Sequence, residues 1–295
     1  MEVATGERSR EKLRRRGTPL LAALALWLGW CFVAVFLFDR WPEWGIHISL
    51  FTLAALTCSG LLFLLLFLRR EFWRQRRQDL ALLERYNDEM QQLIWLSSRI
   101  SPRRPLAFRR GMEARAGILN AAWELIRSER PKRVLEMGSG LSTLLMAYAL
   151  EANGAGQLQA LENHDESAAA TRRLLSEHSL GAYAQVLDAP LTPVELDGDS
   201  YPWYTIPDLD SDTPIDLLFV DGPAGRLAPM IRYPALPLLR DRLADDAVIL
   251  LDDTLREHEG RIMERWLQAF PDLYVDNRFS SGEFAVLRIA GGNTR

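Results

Sequence analysis

Cysteine is almost missing from this chain of 295 residues, which has 2, Cys31 and Cys58. Both sit inside apolar runs and neither joins a Cys/His cluster, which excludes a disulfide framework and a thiolate metal centre. Charge is missing from two long stretches. Asp, Glu, Lys and Arg are absent from Pro19 to Phe38 and again from Ile46 to Leu68, where His47 stands at the edge. Each run reaches the ~20 residues that cross ~30 Å of hydrocarbon. Glycine and proline are lacking between Glu71 and Ile100, so nothing there breaks a helix. A basic surplus is also lacking. The net charge is -4, and Asp and Glu dominate from Glu136 onward. A nucleic-acid enzyme needs Lys and Arg where phosphates must be neutralised, so no nucleic-acid partner is expected.

What charge there is near the apolar runs is unevenly placed. Arg8, Arg10, Lys12, Arg14, Arg15 and Arg16 precede the first run, and Arg69, Arg70, Arg74, Arg76 and Arg77 follow the second. Only Arg40 lies between them, in Asp39-Arg40-Trp41-Pro42-Glu43-Trp44-Gly45, with Trp41 and Trp44 suited to the headgroup level. The expectation is a two-helix transmembrane hairpin in the inner (cytoplasmic) membrane, with both termini and the following domain cytoplasmic. A cleaved signal peptide fits less well, because the first run is long and a second follows it. The chain then divides into a basic N-terminus (1–18), the hairpin (19–68, with spans 19–38 and 46–68), a helical connector (69–104) and a catalytic domain (105–295). In the connector, Leu83, Tyr86, Met90 and Leu93 follow the spacing of a coiled-coil seam. The 71–100 helix could therefore support a homodimer or pack on its own domain. Ser101-Pro102-Arg103-Arg104-Pro105 ends it.

Beyond a helix expected around Met112 to Arg127, short aliphatic runs alternate with helical stretches. The runs are 133–136, 158–161, 184–187, 217–220 and 247–251, the pattern of a parallel sheet covered on both faces. The fold class is α/β, doubly wound, and in such sheets ligands bind beyond the carboxyl ends of the strands. Polar residues there carry the chemistry. After the first run, Glu136-Met137-Gly138-Ser139-Gly140-Leu141-Ser142-Thr143 has two glycines that let the backbone turn and approach a ligand. Thr143 stands where the dinucleotide fingerprint wants a third glycine. The second run ends in Glu162-Asn163, and a carboxylate there can accept both hydroxyls of a ribose. The third, fourth and fifth end in Asp188-Ala189, Asp221-Gly222-Pro223 and Asp252-Asp253. Carboxylates abutting apolar strands must be hydrated, paired or ligand-bound, and an acidic crevice suits a cationic ligand.

These residues resemble the class I S-adenosylmethionine-dependent methyltransferases. Val134 to Gly140 looks like their first motif, Glu162 like their ribose-binding acid, and Asp188-Ala189 like the position beside the adenine. The resemblance implies a mostly parallel seven-stranded sheet whose last strand is antiparallel, closed by a hairpin of 273–276 and 283–289. It implies cofactor contacts from Glu136, Gly138, Ser139, Gly140, Glu162, Asn163, Asp188, Ala189 and Asp221. A narrower likeness is to methyltransferases with Trp-Tyr, Val-Asp-Gly-Pro and Asp-Asp-x-x-Arg-x-x-Glu motifs, here Trp203-Tyr204, Val220 to Pro223 and Asp252 to Glu259.

Methyl transfer from a sulfonium is an in-line displacement dominated by positioning, assisted by a base where the acceptor loses a proton. Asp221, Asp252 and His258 are the candidate catalytic groups. Arg232 with Tyr233, Arg256, Trp203 and Tyr204 are candidates for holding the acceptor, the loop from Pro190 to Pro214 being long enough to close over it. Asp221, Asp252 and Asp253 also resemble the metal ligands of catechol-type O-methyltransferases, and carboxylates suit magnesium. Asp253 stands where those enzymes have Asn, and Ala224 where they have a catalytic Lys. The expected function is O-methylation of a small-molecule, glycan or lipid-linked acceptor at the membrane face. A membrane-tethered NAD(P)-dependent oxidoreductase and a noncatalytic assembly factor remain as alternatives.

Overall fold

The computed structural model describes residues 29, 32, 33, 35, 36, 40, 42–106, 114–206 and 213–290. The chain separates into two units, Met1–Arg85 and Tyr86–Arg295. The expected first span, 19–38, lies for the most part outside the described residues.

In the first unit, helix α1 runs over Pro42–Arg99. Pro42 to Gly45, expected as part of a connecting turn, therefore belongs to the helix. Among the described residues one helical stretch, Thr52–Arg99, is long and apolar enough to cross a membrane, with mean hydropathy 1.9 in its most apolar part. Leu61, Leu62, Leu64, Leu65 and Leu66 are all exposed, giving apolar surface all round the helix.

The second unit starts within α1. Leu83, Tyr86 and Met90 are exposed, whereas Leu96 and Ile100 are buried in the core that also holds Ile118, Leu119 and Ala122. Asn120 Nδ2–H donates to the Gln92 carbonyl at 3.0 Å, and Arg99 pairs with Glu124 at 2.6 Å. Those contacts seat the C-terminal end of α1 on α2 (Ala116–Glu129).

A 7-stranded sheet runs in the order β3-β2-β1-β6-β7-β9-β8. Its strands are β1 (Arg133–Met137), β2 (Gln157–Glu162), β3 (Ala184–Asp188), β6 (Ile215–Val220), β7 (Leu243–Asp252), β8 (Leu273–Val275) and β9 (Phe284–Ile289). β3, β2, β1, β6 and β7 are parallel, and β9 lies antiparallel to both β7 and β8. Every residue of β1 is buried, as a central parallel strand requires. The helices α3 (Leu141–Asn153) and α4 (Asp165–Glu177) follow β1 and β2, and α6 (Glu257–Ala269) follows β7; the short α5 (Ala235–Leu239) precedes β7. Two apolar clusters, one around Leu144 and Phe219 and one around Leu135 and Trp266, form the core.

The segment expected as a long closing loop contains a hairpin, β4 (Leu191–Leu196) and β5 (Asp199–Tyr204). Its turn is Asp197-Gly198, with φ of 53° and 85°, the left-handed pair that a two-residue hairpin turn needs. Residues 207–212 lie outside the described residues. Tyr233 Oη–H donates to Asp197 Oδ2 at 2.6 Å, and Arg265 pairs with the same carboxylate while lying over the Tyr233 ring. The hairpin tip is thus pinned to α6.

Candidate functional site

The chain leaves β1 toward β2 and leaves β6 toward β7, in opposite directions across the sheet, so the β1–β6 pair is the topological switch point. The two strand tips touch. Asp221 N–H donates to the Met137 carbonyl at 3.2 Å, and Gly138 N–H donates to the Leu161 carbonyl at 2.9 Å. Gly138 has φ +99°, a conformation that L side chains rarely adopt. A Cβ on Gly140 would meet nothing within 4 Å, which leaves an open cradle over the loop. Gly222 is the opposite case. A Cβ there would fall on Tyr204 Oη and come within 2.9 Å of the Met137 carbonyl.

The β1–β2 half is held together by hydroxyls and amides. Glu136 is buried, and its two carboxylate oxygens accept hydrogen bonds from Ser142 Oγ and Thr143 Oγ1. Thr143 Oγ1 also accepts the Gly140 N–H at 2.9 Å, closing the first turn of α3. Burial pushes the Glu136 carboxyl up to about 8, against those two hydrogen bonds. Glu136 thus shapes the glycine loop from within. Glu162 lies at the tip of β2, its Oε2 accepting from Ser139 N–H (3.1 Å) and Ser139 Oγ (2.9 Å), its Oε1 from His164 N–H (3.0 Å). The loop and the acid are therefore one assembly, and Asn163 is half-buried just beyond them. Asp188 faces solvent and pairs with Arg172 of α4 at 2.7 Å, while Ala189 behind it is fully buried.

The β6–β7 half is held by guanidinium groups. Asp221, Asp252 and Asp253 each present an oxygen within 4.8 Å of the others. Arg232 lies against them with a side chain only 3% exposed. Its Nη2 donates to the Asp221 carbonyl (2.8 Å) and Asp221 Oδ1 (3.2 Å), its Nη1 to the Asp252 carbonyl (3.3 Å), and its Nε to the Pro223 carbonyl (3.3 Å). Nη1 also pairs with Asp253 Oδ2 at 3.3 Å, where Arg256 Nη1 makes a second pair at 2.6 Å. Asp252 Oδ1 accepts the Asp253 N–H at 2.7 Å. Burial raises Asp221 and Asp252; Arg232 pulls Asp221 back, and Asp253 pushes Asp252 further up. Of the three carboxylates Asp221 is the one that reaches the crevice, with a side chain 24% exposed.

Several sequence expectations change here. Arg232 is not an exposed clamp for an acceptor: every direction of its guanidinium is taken up by the strand tips. Tyr233 is buried on the hairpin tip, with its hydroxyl on Asp197. Trp203 and Tyr204 are buried as well, packing β5 onto the sheet, and only Tyr204 Oη approaches the crevice, beside Gly222. Arg256 does stay half exposed. His258 stands in the first turn of α6, with a buried Nδ1 that has no hydrogen-bond partner. The buried Glu259 near it comes against Gly225 instead. Residues not named from sequence as part of the site include Ser142, Thr143 and Thr171, which lies 3.2 Å from Ser139 Oγ, and Arg172. The hydroxyls at the start of α3 were readable as partners for a buried Glu136. Arg172 carried no local signal, since it meets Asp188 only where α4 packs against β3.

Residues 135–254 match a family described as a methyltransferase domain. That span holds the glycine loop, Glu162 and all three aspartates. No curated protein matches the chain. Among solved structures, the chain is similar to the O-methyltransferase TomG of Streptomyces achromogenes, in complex with SAM, at 16% identity, covering 62% of this chain and 83% of that one, with a TM-score of 0.46. It is similar to an O-methyltransferase of Bacillus cereus in complex with SAH at 13% identity, covering 68% and 90%, with a TM-score of 0.43. A third is the SAH-bound Podospora anserina methyltransferase PaMTH1, at 18% identity over 68% and 87%, with a TM-score of 0.43.

Proposed function

We propose that the chain is an S-adenosylmethionine-dependent O-methyltransferase working at the cytoplasmic face of a membrane. One observation carries the reading: the glycine loop after β1, bonded to Glu162 after β2, meets Asp221 at the switch point of a methyltransferase-type sheet. The residues fit such a ligand. Gly138 and Gly140 open the backbone for a close approach, Glu162 lies within reach as acceptor for ribose hydroxyls, and the surrounding carboxylates favour a cation. S-adenosylmethionine supplies a methyl group on a positive sulfur. Asp221, raised by burial and open to the crevice, is placed to take the acceptor hydroxyl's proton as the oxygen–methyl bond forms and the sulfur–methyl bond breaks. Arg256, half exposed beside it, is placed to meet an anionic or glycan acceptor.

The membrane part rests on the apolar stretch of α1 and on the arginines flanking both runs. A lipid-linked glycan, a lipid or another acceptor brought to the bilayer is then within reach. The exposed Leu83 and Met90 lie on the part of the 71–100 helix ahead of its packing on α2, where a homodimer seam would form. Binding titrations on the full chain in detergent test the cofactor: micromolar affinity for S-adenosylmethionine, with none for NAD, is expected. The reverse preference would establish the oxidoreductase alternative, and no affinity for either would favour an assembly factor. Accessibility labelling of single cysteines placed before Arg8 and after Ala290 tests the orientation, and labelling from the periplasmic side would overturn it.

A further inference from the structure

We propose that Arg232 is the resident cation of the acidic crevice, so that methyl transfer here proceeds without a divalent metal and the acceptor is held without chelation. The proposal rests on the methyltransferase reading. A divalent ion bound by Asp221, Asp252 and Asp253 would have to be enclosed by carboxylate oxygens that are free to turn toward it. In this chain two of the three are already turned to guanidinium groups. Arg232 contacts Asp221 Oδ1 and Asp253 Oδ2 from one buried position, and Arg256 closes on Asp253 Oδ2 from outside. The third, Asp252, has one oxygen fixed on the Asp253 amide.

The seat of Arg232 is built, not incidental. Three backbone carbonyls, those of Asp221, Pro223 and Asp252, receive its remaining N–H groups, so the side chain cannot swing away without leaving buried acceptors unpaired. A positive charge in that seat repels an incoming cation, and a guanidinium cannot lose its proton near neutral pH. The consequence for substrate is specific. Metal-bridged acceptors need two adjacent oxygens to close a chelate, whereas a crevice with a fixed guanidinium and one partly exposed carboxylate, Asp221, held through Oδ1 by that guanidinium, can accept a single hydroxyl.

Manganese as a paramagnetic probe tests this, with the full chain in detergent and free ion counted by electron paramagnetic resonance. The wild type is expected to leave the signal of the free ion unchanged up to millimolar concentrations. Arg232→Met, similar in length but uncharged, is expected to gain submillimolar binding, an increase of at least about tenfold. Adding Asp252→Asn to that variant should abolish the gain. A folded Arg232→Met that captures no manganese would overturn the proposal. So would manganese bound by the wild type and released by Asp252→Asn, which decides the matter even if Arg232→Met fails to give a cooperative melt. In that case Arg232→Lys, retaining the charge, is expected to exclude manganese like the wild type, and capture by it counts against the proposal. S-adenosylhomocysteine binding measured on the same samples keeps the two readings apart: its absence in the wild type sinks the methyltransferase assignment while the manganese result still decides the role of Arg232.

Discussion

The two sides of the crevice solve one problem with different chemistry. Each places carboxylates at the ends of buried parallel strands, where an unpaired charge is costly. On the β1–β2 side, Glu136 and Glu162 are met by hydroxyls and backbone amides, all of them neutral. On the β6–β7 side, Asp221 and Asp253 are met by arginines. On the first side burial raises Glu136 to about 8, so that near neutral pH it is largely protonated and contributes little charge to the crevice. The second side is largely neutralised from within and leaves one carboxylate, Asp221, reaching the crevice. The crevice is thus divided into a half whose carboxyls meet neutral donors and a half whose carboxylates meet arginines.

The contrast can be broken most severely at the seam between the halves. Gly222→Ala puts a methyl group against Tyr204 Oη and the β1 backbone, so one strand tip must shift. Destabilisation of ~3 kcal/mol and loss of S-adenosylmethionine binding are expected in thermal melts and calorimetry. A variant that melts and binds like the wild type would mean that the seam is not tight. On the β1–β2 side alone, Glu162→Ala removes an acceptor of charge-assisted hydrogen bonds and should weaken S-adenosylmethionine by ~10 to 100-fold, with Glu162→Gln losing less. Unchanged affinity would remove Glu162 from the cofactor site.

A pH series sharpens the electrostatic part. The folded state raises Glu136, so its contribution to stability is complete below its ordinary value of 4.5 and is lost as pH rises toward about 8. Denaturation of the wild type should therefore show stability declining across that window, and Glu136→Gln should flatten the decline; an identical slope in the variant would place the titration elsewhere. The smallest effect belongs to the arginine at the outer rim. Arg256→Ala should alter stability by less than ~1 kcal/mol, since its partner is already paired with Arg232. Steady-state kinetics with an identified acceptor should show a several-fold rise in KM with little change in kcat. A loss of kcat alone would assign Arg256 to the reacting atoms.

The periodic features were legible in the chain itself. Short aliphatic runs such as Val248 to Leu251, recurring between helical stretches, read as buried strands, the glycines at 138 and 140 announce a close turn, and Ile46 to Leu68 is too long and too apolar for most soluble helices. The β4–β5 hairpin was less visible because Pro193, Pro202 and many polar residues weaken its strand pattern, although Asp197-Gly198 is the kind of pair a tight turn requires. Patterning of that sort depends only on neighbours in sequence, so the amino-acid order determined it. What the tertiary structure decided was which partner each charge acquired. Asp188 takes Arg172 from α4 where that helix packs on β3, and Arg232, twenty residues before Asp252 in sequence, enters the seat between two strand tips and becomes part of the crevice wall. Burial and long-range pairing set those outcomes, because the energy of a charge depends on what surrounds it in space and not on its place along the chain.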